Sequence, residues 1–391
     1  MTERRSVLAI FGTRPEAIKL APVIEALLAS RTLQPKVCVT GQHREMLDQT
    51  LALFGIRPQR DLAIMQPDQD LFDLTARALA GLRGVLDAER PAAVLVQGDT
   101  TTAMAAALAA FYCRIPVAHV EAGLRTGRPY DPFPEEMNRR LTAQLAAWHY
   151  APTAAAAANL RGEGVPAERI VVTGNTVVDA LHAIVERLER DPHACVPAVA
   201  PERLAGRRLL LVTGHRRESF GDRLRDICLA LRDLAERHAD VLIVYPVHLN
   251  PAVQAPVREL LGGAPNVLLT APIDYLPFID LVRRAYLILT DSGGLQEEAP
   301  SLGVPVLVMR DTTERHEAIA AGSAALVGTS RAAIASAASR LLTDGAAHTR
   351  MRAAHSSAQA PAPLRTPPLR EPRSPSAAAA RTTPAGRSGP P

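Results

Sequence analysis

A short segment near residue 290 joins a strand, a glycine turn and a helix in an order that suits anion binding. An apolar run leads into the turn T-D-S-G-G, a helical segment and a second apolar run follow, and the turn contains Ser292, Gly293 and Gly294. Unpaired amides and the dipole at the start of that helix favour an anion such as a diphosphate. Glu298, six residues after Ser292, is placed to accept hydrogen bonds from a ribose diol. An ordinary tight turn with an exposed glutamate is the alternative for this segment taken alone.

Acidic side chains follow two predicted strands and open a predicted helix in the first half of the chain. Asp99 follows the run A-V-L-V-Q, Glu121 follows P-V-A-H-V, and Glu135 lies in P-F-P-E-E-M-N-R-R. Acids in the first turn of a helix are commonly partners of its dipole, so each acid alone is compatible with a structural role. Three carboxylates gathered in the loops of one domain instead predict raised pKa values and acid–base chemistry.

Basic and aromatic side chains occupy comparable places and predict how an anion is held. Arg14 and Lys19 follow the first predicted strand in G-T-R-P-E-A-I-K, His215 lies in T-G-H-R-R-E, and Arg315 lies in T-T-E-R. Together they predict a cationic site for a diphosphate, with solvated helix starts and loops as the alternative. Phe278, in D-Y-L-P-F, is suited either to stack on a uracil ring or to fill a core.

Short apolar runs alternate with helical patterns along the chain. Ten runs are predicted as strands, at residues 6–11, 36–40, 93–97, 116–120, 169–173, 209–213, 241–245, 266–270, 286–290 and 304–308. Continuous β-branched and leucine runs, each followed by a helix, predict parallel strands buried on both faces. The predicted fold class is α/β, with two doubly wound Rossmann-like domains that face a cleft. The expected divisions are an N-terminal domain with the carboxylates, a linker, a C-terminal Rossmann-like domain that carries the glycine turn, and a tail, at 1–190, 191–206, 207–348 and 349–391.

Composition argues against several classes of function. No run of about 18 apolar residues is present and the first apolar run is too short for a signal peptide, so neither membrane partner nor leader is expected. Residues 361–391 hold five arginines and one acid, which equals the formal charge of +4 of the whole chain, so no nucleic-acid surface is expected. The four cysteines show no metal-ligand spacing, which predicts reduced thiols in a cytoplasmic protein. Motifs for nicotinamide, ATP and metal binding are lacking, so no cofactor is expected.

The motifs, taken in order, resemble those of the non-hydrolysing UDP-N-acetylglucosamine 2-epimerases. Matching blocks run from about residue 5 to 345 and include G-T-R-P-E-A-I-K-L-A-P, Q-G-D-T-T-T, H-V-E-A-G-L-R-T, P-E-E-M-N-R, T-G-H-R-R-E-S-F-G, D-S-G-G-L-Q-E-E and D-T-T-E-R. The resemblance implies a glycosyltransferase-B-like fold and a cytoplasmic homodimer. It also implies interconversion of UDP-GlcNAc and UDP-ManNAc, which supplies ManNAc units for surface polysaccharides.

The resemblance also assigns residues by motif. Catalysis is implied for Asp99, Glu121, Glu135 and His215. Nucleotide-sugar contacts are implied for Arg14, Lys19, Asp99, Glu121, His215, Phe278, Ser292, Gly293, Gly294, Glu298 and Arg315. This chain has Ile273 where some relatives have glutamine, so a contact there would come from the backbone. A second, regulatory UDP-GlcNAc site is implied at Gln42 and His43, but a later loop lacks the basic residue of some relatives, and we do not expect regulation by substrate.

The residue types suit the implied reaction. The C2 hydrogen of a pyranosyl UDP-sugar is next to no carbonyl, so its removal must accompany cleavage of the C1–O bond to UDP, which leaves a 2-acetamidoglucal. Return of UDP and of a proton to the other face inverts C2. This route needs carboxylates that reach both faces and a cationic clamp for the departing diphosphate. A retaining glycosyltransferase, a hydrolysing epimerase and a nucleotide-sugar sensor without turnover are the alternatives.

The C-terminal segment departs from the family pattern. Relatives normally end in an N-P-Y-G-type loop and a long helix that crosses back onto the first domain, whereas this chain becomes rich in Pro, Ala and Arg after about residue 349. Nine prolines among the last 31 residues argue against a helix and predict a disordered tail. A frameshifted reading of the gene and a genuine disordered extension are both compatible with this composition.

Overall fold

The computed structural model describes residues 4–41, 44–66, 69–191, 193–214, 216 and 219–354. The first half forms a seven-stranded parallel sheet in the order β3-β2-β1-β4-β5-β6-β7. Its strands are β1 Arg5–Phe11, β2 Leu33–Val39, β3 Arg60–Asp61, β4 Ala93–Gln97, β5 Val117–Val120, β6 Trp148–Ala151 and β7 Ile170–Val172. The order reverses direction between β1 and β4, which is where open parallel sheets of this kind bind ligands.

The second half forms a six-stranded parallel sheet in the order β10-β9-β8-β11-β12-β13. Its strands are β8 Arg208–Thr213, β9 Val241–Pro246, β10 Val267–Thr270, β11 Leu287–Thr290, β12 Val306–Val308 and β13 Ala324–Leu326. Here the reversal of strand order falls between β8 and β11, so the glycine turn that follows β11 lies at a switch point of its own sheet.

Helices connect the strands and cover both faces of each sheet. The helices are α1 Arg14–Ala29, α2 Arg44–Leu53, α3 Leu71–Glu89, α4 Thr101–Tyr112, α5 Glu135–Leu145, α6 Ala154–Gly162, α7 Thr176–Arg190, α8 Pro201–Leu204, α9 Asp222–Arg237, α10 Pro251–Leu261, α11 Tyr275–Arg284, α12 Leu295–Ser301, α13 His316–Ala321, α14 Arg331–Thr343 and α15 Gly345–Ala353. The predicted α/β class with two doubly wound sheets is confirmed. None of the helices in the described residues is long and apolar enough to cross a membrane.

Each sheet is buried on both faces, as the continuous apolar runs predict. Along β1, Leu8 and Ile10 join one apolar cluster, whereas Ala9 and Phe11 join the cluster on the opposite face. The strands of the second sheet divide between two clusters in the same way. Successive side chains of a strand point to opposite faces, so a strand between two helical layers has to be apolar throughout.

All ten predicted strands are present, and three short strands were missed. β3 has only two residues, and β13 is the tripeptide Ala-Ala-Leu, so neither carries a readable pattern. β6 reads W-H-Y-A, in which polar atoms interrupt the apolar run. Its pairing with β5 and β7 rather than its own composition defines it as a strand.

Helix α7 connects the two halves. It contacts α1 of the first half and α11 and α12 of the second. Its residues Val178 and Leu181 lie in the same apolar cluster as Ile18 of α1 and Leu211 of the second sheet. Helix α7 therefore shares an apolar core with both halves. The predicted domain boundaries at residues 190 and 207 stay predictions.

Helix α15 runs through residues 349–353, which the sequence analysis assigned to the tail. Asp344 caps the helix by accepting a hydrogen bond from the Ala347 amide at 2.9 Å. His348 stacks on Tyr286, with ring centroids 3.8 Å apart, and its Nε2 lies 2.8 Å from the Tyr286 carbonyl oxygen. These contacts extend the folded part of the chain beyond the predicted boundary. Residues 355–391 lie outside the described residues, so disorder there stays a prediction.

Candidate active site

Loops from the carboxyl ends of strands in both sheets meet in one charged cluster. Glu121 follows β5 and Asn175 follows β7, whereas Glu297 lies in α12 and Arg315 directly precedes α13. Asn175 Nδ2 donates to Glu297 at 2.6 Å, and Arg315 Nη2 donates to Glu121 at 3.0 Å, so the contacts cross from one half to the other. Ligands of parallel sheets bind at this edge, which is where the sequence analysis expects a site.

Glu121 is the centre of this cluster and is buried. Its carboxylate accepts hydrogen bonds from Lys19 Nζ at 2.6 and 2.8 Å, from Asn175 Nδ2 at 2.8 Å and from Arg315 Nη2 at 3.0 Å. Gln97 Nε2 donates another. The backbone of Glu121 has a φ of +62°, a left-handed conformation that is strained for a residue with a side chain and is found most often at functional sites. The sharp turn after β5 therefore aims the carboxylate at donors from both halves.

The surrounding charges give the neighbouring carboxylates Glu121 and Glu297 different pKa values. Burial acts to raise the pKa of Glu121, but Lys19 and Arg315 outweigh burial and lower the pKa to about 2. Burial raises the pKa of Glu297, with Arg315 opposing the shift and the charge of Glu121 reinforcing it. Glu121 is therefore held ionised, while Glu297 is the weaker acid of the pair.

Arg315 is surrounded by carboxylates. Besides Glu121, its Nη1 contacts Glu314 and its Nε lies 3.1 Å from Glu297 Oε2. Burial acts to lower the pKa of the guanidinium, but Glu297 and Glu314 raise it well above its usual value. The predicted diphosphate clamp is therefore already paired with anionic side chains.

Asp99 lies after β4, where neighbouring side chains hold both its backbone and its carboxylate. Asn138 Nδ2 donates to the Asp99 carbonyl at 3.0 Å, and Arg139 Nη2 donates to the Asp99 carboxylate. His119 Nε2 lies 2.7 Å from the carbonyl oxygen of Gly98. Burial lowers the pKa of His119 to about 4, so the ring is neutral at pH 7, and Nε2 is the protonated nitrogen because a carbonyl can only accept.

Glu135 opens α5 beside Asp99, as the sequence analysis predicts. Burial raises its pKa, its own backbone amide opposes the shift, and the charge of Asp99 adds to it. Its Oε2 atom is buried and has no hydrogen-bond partner within the described part of the chain. The adjacent Glu136 is fully buried and lies 3.1 Å from Arg140 Nε, which is a structural pairing within the helix. A buried carboxyl with a raised pKa and a free oxygen is suited to carrying a proton.

Glu16 links the turn before α1 to the turn that carries Asp99. It accepts hydrogen bonds from the amides of Gly12 at 3.0 Å and Thr13 at 2.8 Å, and from the Thr100 hydroxyl at 2.7 Å. With Thr13 it forms a capping box at the start of α1. The start of the helix that carries Lys19 is therefore tied to the Asp99 loop.

The glycine turn after β11 lies against Arg315. A Cβ atom on Gly293 would lie 2.7 Å from Arg315 Nη1, so a larger residue would displace the guanidinium. The Ser292 amide donates to Thr290 Oγ1 at 2.9 Å, whereas the amides of Gly293 and Gly294 have no acceptor among the described residues. The expectation that all three amides are free is therefore wrong for Ser292, because the threonine hydroxyl satisfies it.

Glu298 lies in α12 next to Tyr275 and close to Arg14 of the first half. The Tyr275 hydroxyl donates to Glu298 Oε1 at 3.2 Å. Burial raises the pKa of Glu298 to about 7. Burial also lowers the pKa of Arg14, and the charge of Glu298 opposes that shift. The structure thus brings the predicted ribose acceptor and a predicted clamp residue to the same place.

Other predicted residues lie at the edge of the site or outside the described residues. Phe278 is the fourth residue of α11, at the start of that helix as predicted, and it is half-buried against the apolar cluster that contains α7. Ile273, just before α11, packs against the same cluster. Both positions are compatible with core filling as well as with a ligand contact. His215, Gln42 and His43 fall outside the described residues, so their roles stay predictions.

Several polar residues of the cluster were missed by sequence reasoning. They are Glu16, Gln97, Arg139, Asn175, Glu297 and Glu314. A signal existed for Asn175, which follows a predicted strand in T-G-N-T, and for Glu297 and Glu314, which each precede a residue that was singled out. Asn175 and Glu297 meet across 122 residues of chain, which no local pattern reports.

Comparison with known proteins identifies the family. The profile described as UDP-N-acetylglucosamine 2-epimerase matches residues 25–360. The chain belongs to this family. A UDP-N-acetylglucosamine 2-epimerase of Yersinia pestis is 55% identical over 353 residues, which cover 89% of this chain and 93% of that relative. The predicted resemblance and the enzyme class, an epimerase, are confirmed.

Solved structures agree with the family assignment. The UDP-GlcNAc 2-epimerase from Neisseria meningitidis, solved bound to UDP-GlcNAc, has a TM-score of 0.85 and 47% identity, and the match covers 90% of this chain and 95% of that one. A glycosyltransferase of kitacinnamycin shares the fold alone, with 14% identity and a TM-score of 0.58 over 89% of this chain and 93% of its own. The glycosyltransferase-B-like architecture is therefore common to the epimerase family and to this glycosyltransferase.

Proposed function

We propose that this chain interconverts UDP-GlcNAc and UDP-ManNAc by eliminating UDP to a 2-acetamidoglucal and adding it back. One observation carries the proposal: the carboxylates after β4 and β5 are paired with cations, Glu135 opens α5 beside Asp99, and Arg315 with the glycine turn approaches from the other sheet. Acid–base groups and a leaving-group clamp are thereby assembled in one cleft. The fold alone would not distinguish this activity from glycosyl transfer.

The bond changes of the proposed reaction are as follows. A carboxylate removes the proton from C2, the C2–H electron pair forms the C1–C2 double bond, and the C1–O bond breaks with its electrons on the UDP oxygen. In the return step that oxygen attacks C1, and C2 takes a proton on the opposite face. Water must be excluded while the glucal exists, which gives closure of the two halves a role.

The proposed roles follow from where the side chains lie. Asp99, Glu121 and Glu135 act at the sugar, and Glu135, with its raised pKa and free oxygen, is the candidate proton donor. Glu298 accepts hydrogen bonds from the ribose. The diphosphate is held by cations and by the glycine turn, that is by Arg14, Lys19, Arg315, Ser292, Gly293 and Gly294, and the family resemblance adds His215 to this set.

Exchange with solvent deuterium tests this reaction. UDP-GlcNAc incubated with the protein in D₂O, without added metal or NAD, is expected to yield UDP-ManNAc with deuterium at C2, because the removed proton exchanges with water before C2 is reprotonated. Proton NMR of the product measures the label. Product that retains the original C2 hydrogen, or a reaction that depends on NAD, would contradict elimination.

The same reaction mixture separates the alternatives. Stoichiometric free UDP with ManNAc would indicate a hydrolysing epimerase, and UDP release only when a sugar acceptor is added would indicate a retaining glycosyltransferase. Binding of UDP-GlcNAc without formation of any product would indicate a nucleotide-sugar sensor without turnover. A heat-denatured sample of the same protein is the control for spontaneous breakdown of the substrate.

We further propose that the chain acts as a homodimer in the cytoplasm and supplies ManNAc units for surface polysaccharide, as the family resemblance implies. Large apolar side chains are exposed on the helical layer α3–α4–α5, where Phe72 is 85% exposed and Tyr112 is 70% exposed. Phe111, Tyr130 and Phe133 are also exposed on this layer or just before α5. Exposed apolar side chains along one helical layer support an interface with a second copy.

Light scattering after size-exclusion chromatography tests the dimer. The parent chain is expected to have a measured mass of twice 41.8 kDa, that of a dimer. The double variant Phe72→Lys/Phe111→Lys is expected to be a monomer, because dimer formation would bury its new charges in the interface. Val196→Lys, at an exposed apolar position away from this layer, is the matched control. A monomeric parent chain, or a double variant that stays dimeric, would rule out this surface.

A further inference from the structure

Two of the cations proposed to bind a diphosphate are already paired with carboxylates. Lys19 and Arg315 both contact Glu121, and Arg315 also contacts Glu297 and Glu314. Arg310 adds a third cation, with its Nη1 3.2 Å from Glu314 Oε2. Three buried cations therefore face three buried carboxylates, and an incoming dianion adds negative charge to a balanced cluster.

The three carboxylates are not held equally. Glu121 has donors from Lys19, Gln97 and Asn175 in addition to Arg315. Glu314 has Arg310 in addition to Arg315. Within the described residues, the Glu297 carboxylate has one hydrogen-bond donor, Asn175, and one ion-pair partner, Arg315, and burial raises its pKa. Glu297 is thus the anion that the cluster loses most easily.

We propose that Glu297 is a displaceable counter-ion: it pairs with Arg315 when no nucleotide is bound and gives up this cation to the diphosphate of the ligand. The inference rests on the proposed binding of a UDP-sugar. Arg315 Nη1 lies so close to Gly293 that a Cβ there would be 2.7 Å away, so a diphosphate on the glycine turn comes within reach of the same guanidinium. Asn175, which donates to both Glu121 and Glu297, still holds these two carboxylates in position.

The sign of the effect distinguishes this role from a structural or catalytic one. A side chain that supports the site weakens binding when it is removed, whereas a competitor for Arg315 strengthens it. Neutralising Glu297 removes a negative charge a few ångströms from the diphosphate, and at the effective dielectric of a protein the lost repulsion is large enough for a gain in affinity of at least about tenfold. The cost of freeing Arg315 before binding also falls, because only Glu121 and Glu314 still compete for it.

Isothermal titration calorimetry with UDP tests the proposal. Glu297→Gln is expected to bind UDP about tenfold more tightly than the parent chain, since glutamine keeps an oxygen for Asn175 but loses the charge. Glu317→Gln, which removes a carboxylate two residues beyond Arg315, is the matched control and is expected to bind as the parent does. Unchanged or weaker binding by Glu297→Gln would overturn the proposal.

A double-mutant cycle shows whether the gain passes through Arg315. In an Arg315→Gln background, the Glu297→Gln change is expected to have little effect on UDP affinity, and a gain that persists there contradicts competition for this cation. If Glu297→Gln does not fold, Glu297→Asp replaces it in the test. The shorter side chain withdraws the carboxylate from Arg315 but keeps the charge, so a smaller gain in UDP affinity is expected. Failure of the parent chain to bind UDP would instead count against the proposed function.

Discussion

Replacing Glu121 with glutamine is expected to lower the rate of epimerisation by about 10² to 10³, because acid–base groups typically contribute at this level. The change removes a carboxylate that receives hydrogen bonds from Lys19, Asn175 and Arg315. Initial rates from UDP-GlcNAc measure the loss of turnover. UDP affinity measured on the same protein is expected to change far less than turnover, since the diphosphate clamp is intact.

A matched control removes a carboxylate from an ion pair away from the site. Glu163 pairs with Arg125 at 2.6 Å, and Glu163→Gln is expected to retain the turnover of the parent chain. If Glu121→Gln keeps its turnover while Glu163→Gln loses it, or if Glu121→Gln abolishes UDP binding altogether, the assignment of Glu121 to catalysis is wrong.

The environment of Glu121 also constrains how it acts. A carboxylate whose pKa lies at about 2 is ionised at every physiological pH but is a weak base. Movement of Lys19 or Arg315 toward a bound diphosphate would remove the charges that lower this pKa, and burial would then raise it. The displacement proposed for Glu297 therefore bears on catalysis, since the ligand that frees the cation also makes Glu121 a better base.

Replacing Glu298 with glutamine is expected to weaken UDP binding by roughly ten- to a hundredfold while stabilising the free protein above neutral pH. The loss of affinity follows from losing a charged acceptor for the ribose diol, since hydrogen bonds to charged groups are the stronger ones. The gain in stability follows from the pKa of about 7, which burial raises from 4.5.

The effect of Glu298→Gln on stability depends on pH. The folded state favours the protonated carboxyl, so ionising it costs free energy as the pH rises from the unfolded value of 4.5 through the folded value of about 7. Above pH 7 the full cost, about 3 kcal/mol, is present, and below pH 4.5 it is absent. Glu298→Gln is therefore expected to raise the free energy of unfolding at pH 8 and to change it little at pH 4.5.

Denaturant unfolding at pH 8 and pH 4.5, together with UDP titration, measures both effects. Glu317→Gln serves again as the control, because it lies near the site and is not assigned a ligand contact. Destabilisation of Glu298→Gln at pH 8 would show that the carboxylate is stabilised by its neighbours. UDP binding that is unaffected by the change would remove the ribose role.

The strand-and-helix pattern predicted most of the fold because each buried parallel strand has to be apolar on both faces. This local requirement produced the runs at β1, β4, β8 and β11, and the predicted charged residues follow them. It failed for β3 and β13, which are too short to show a period. It also ended the fold too early, since α15 depends on the stacking of His348 on Tyr286.

The same reasoning identified residues of the site wherever a side chain follows a strand end or a glycine turn. Lys19, Glu121 and Arg315 were chosen in this way, and they do come together. Their pairing state was not foreseen, because a sequence pattern cannot report which charges neutralise one another. Ser292 is a smaller example, since its amide is taken up by the hydroxyl of Thr290.

Local chemistry was thus enough for the fold class, the strand ends that carry charge and the family. The sharing of Asn175 between Glu121 and Glu297, and the enclosure of Arg315 by three carboxylates, required the folded chain. The physical reason is that hydrophobic periodicity acts over a few residues, whereas burial and Coulomb interactions act over a few ångströms between residues far apart in the chain. Those distances set the pKa values of a site, its ion pairs and its unused hydrogen-bonding atoms. These properties therefore appear only when both sheets are in place.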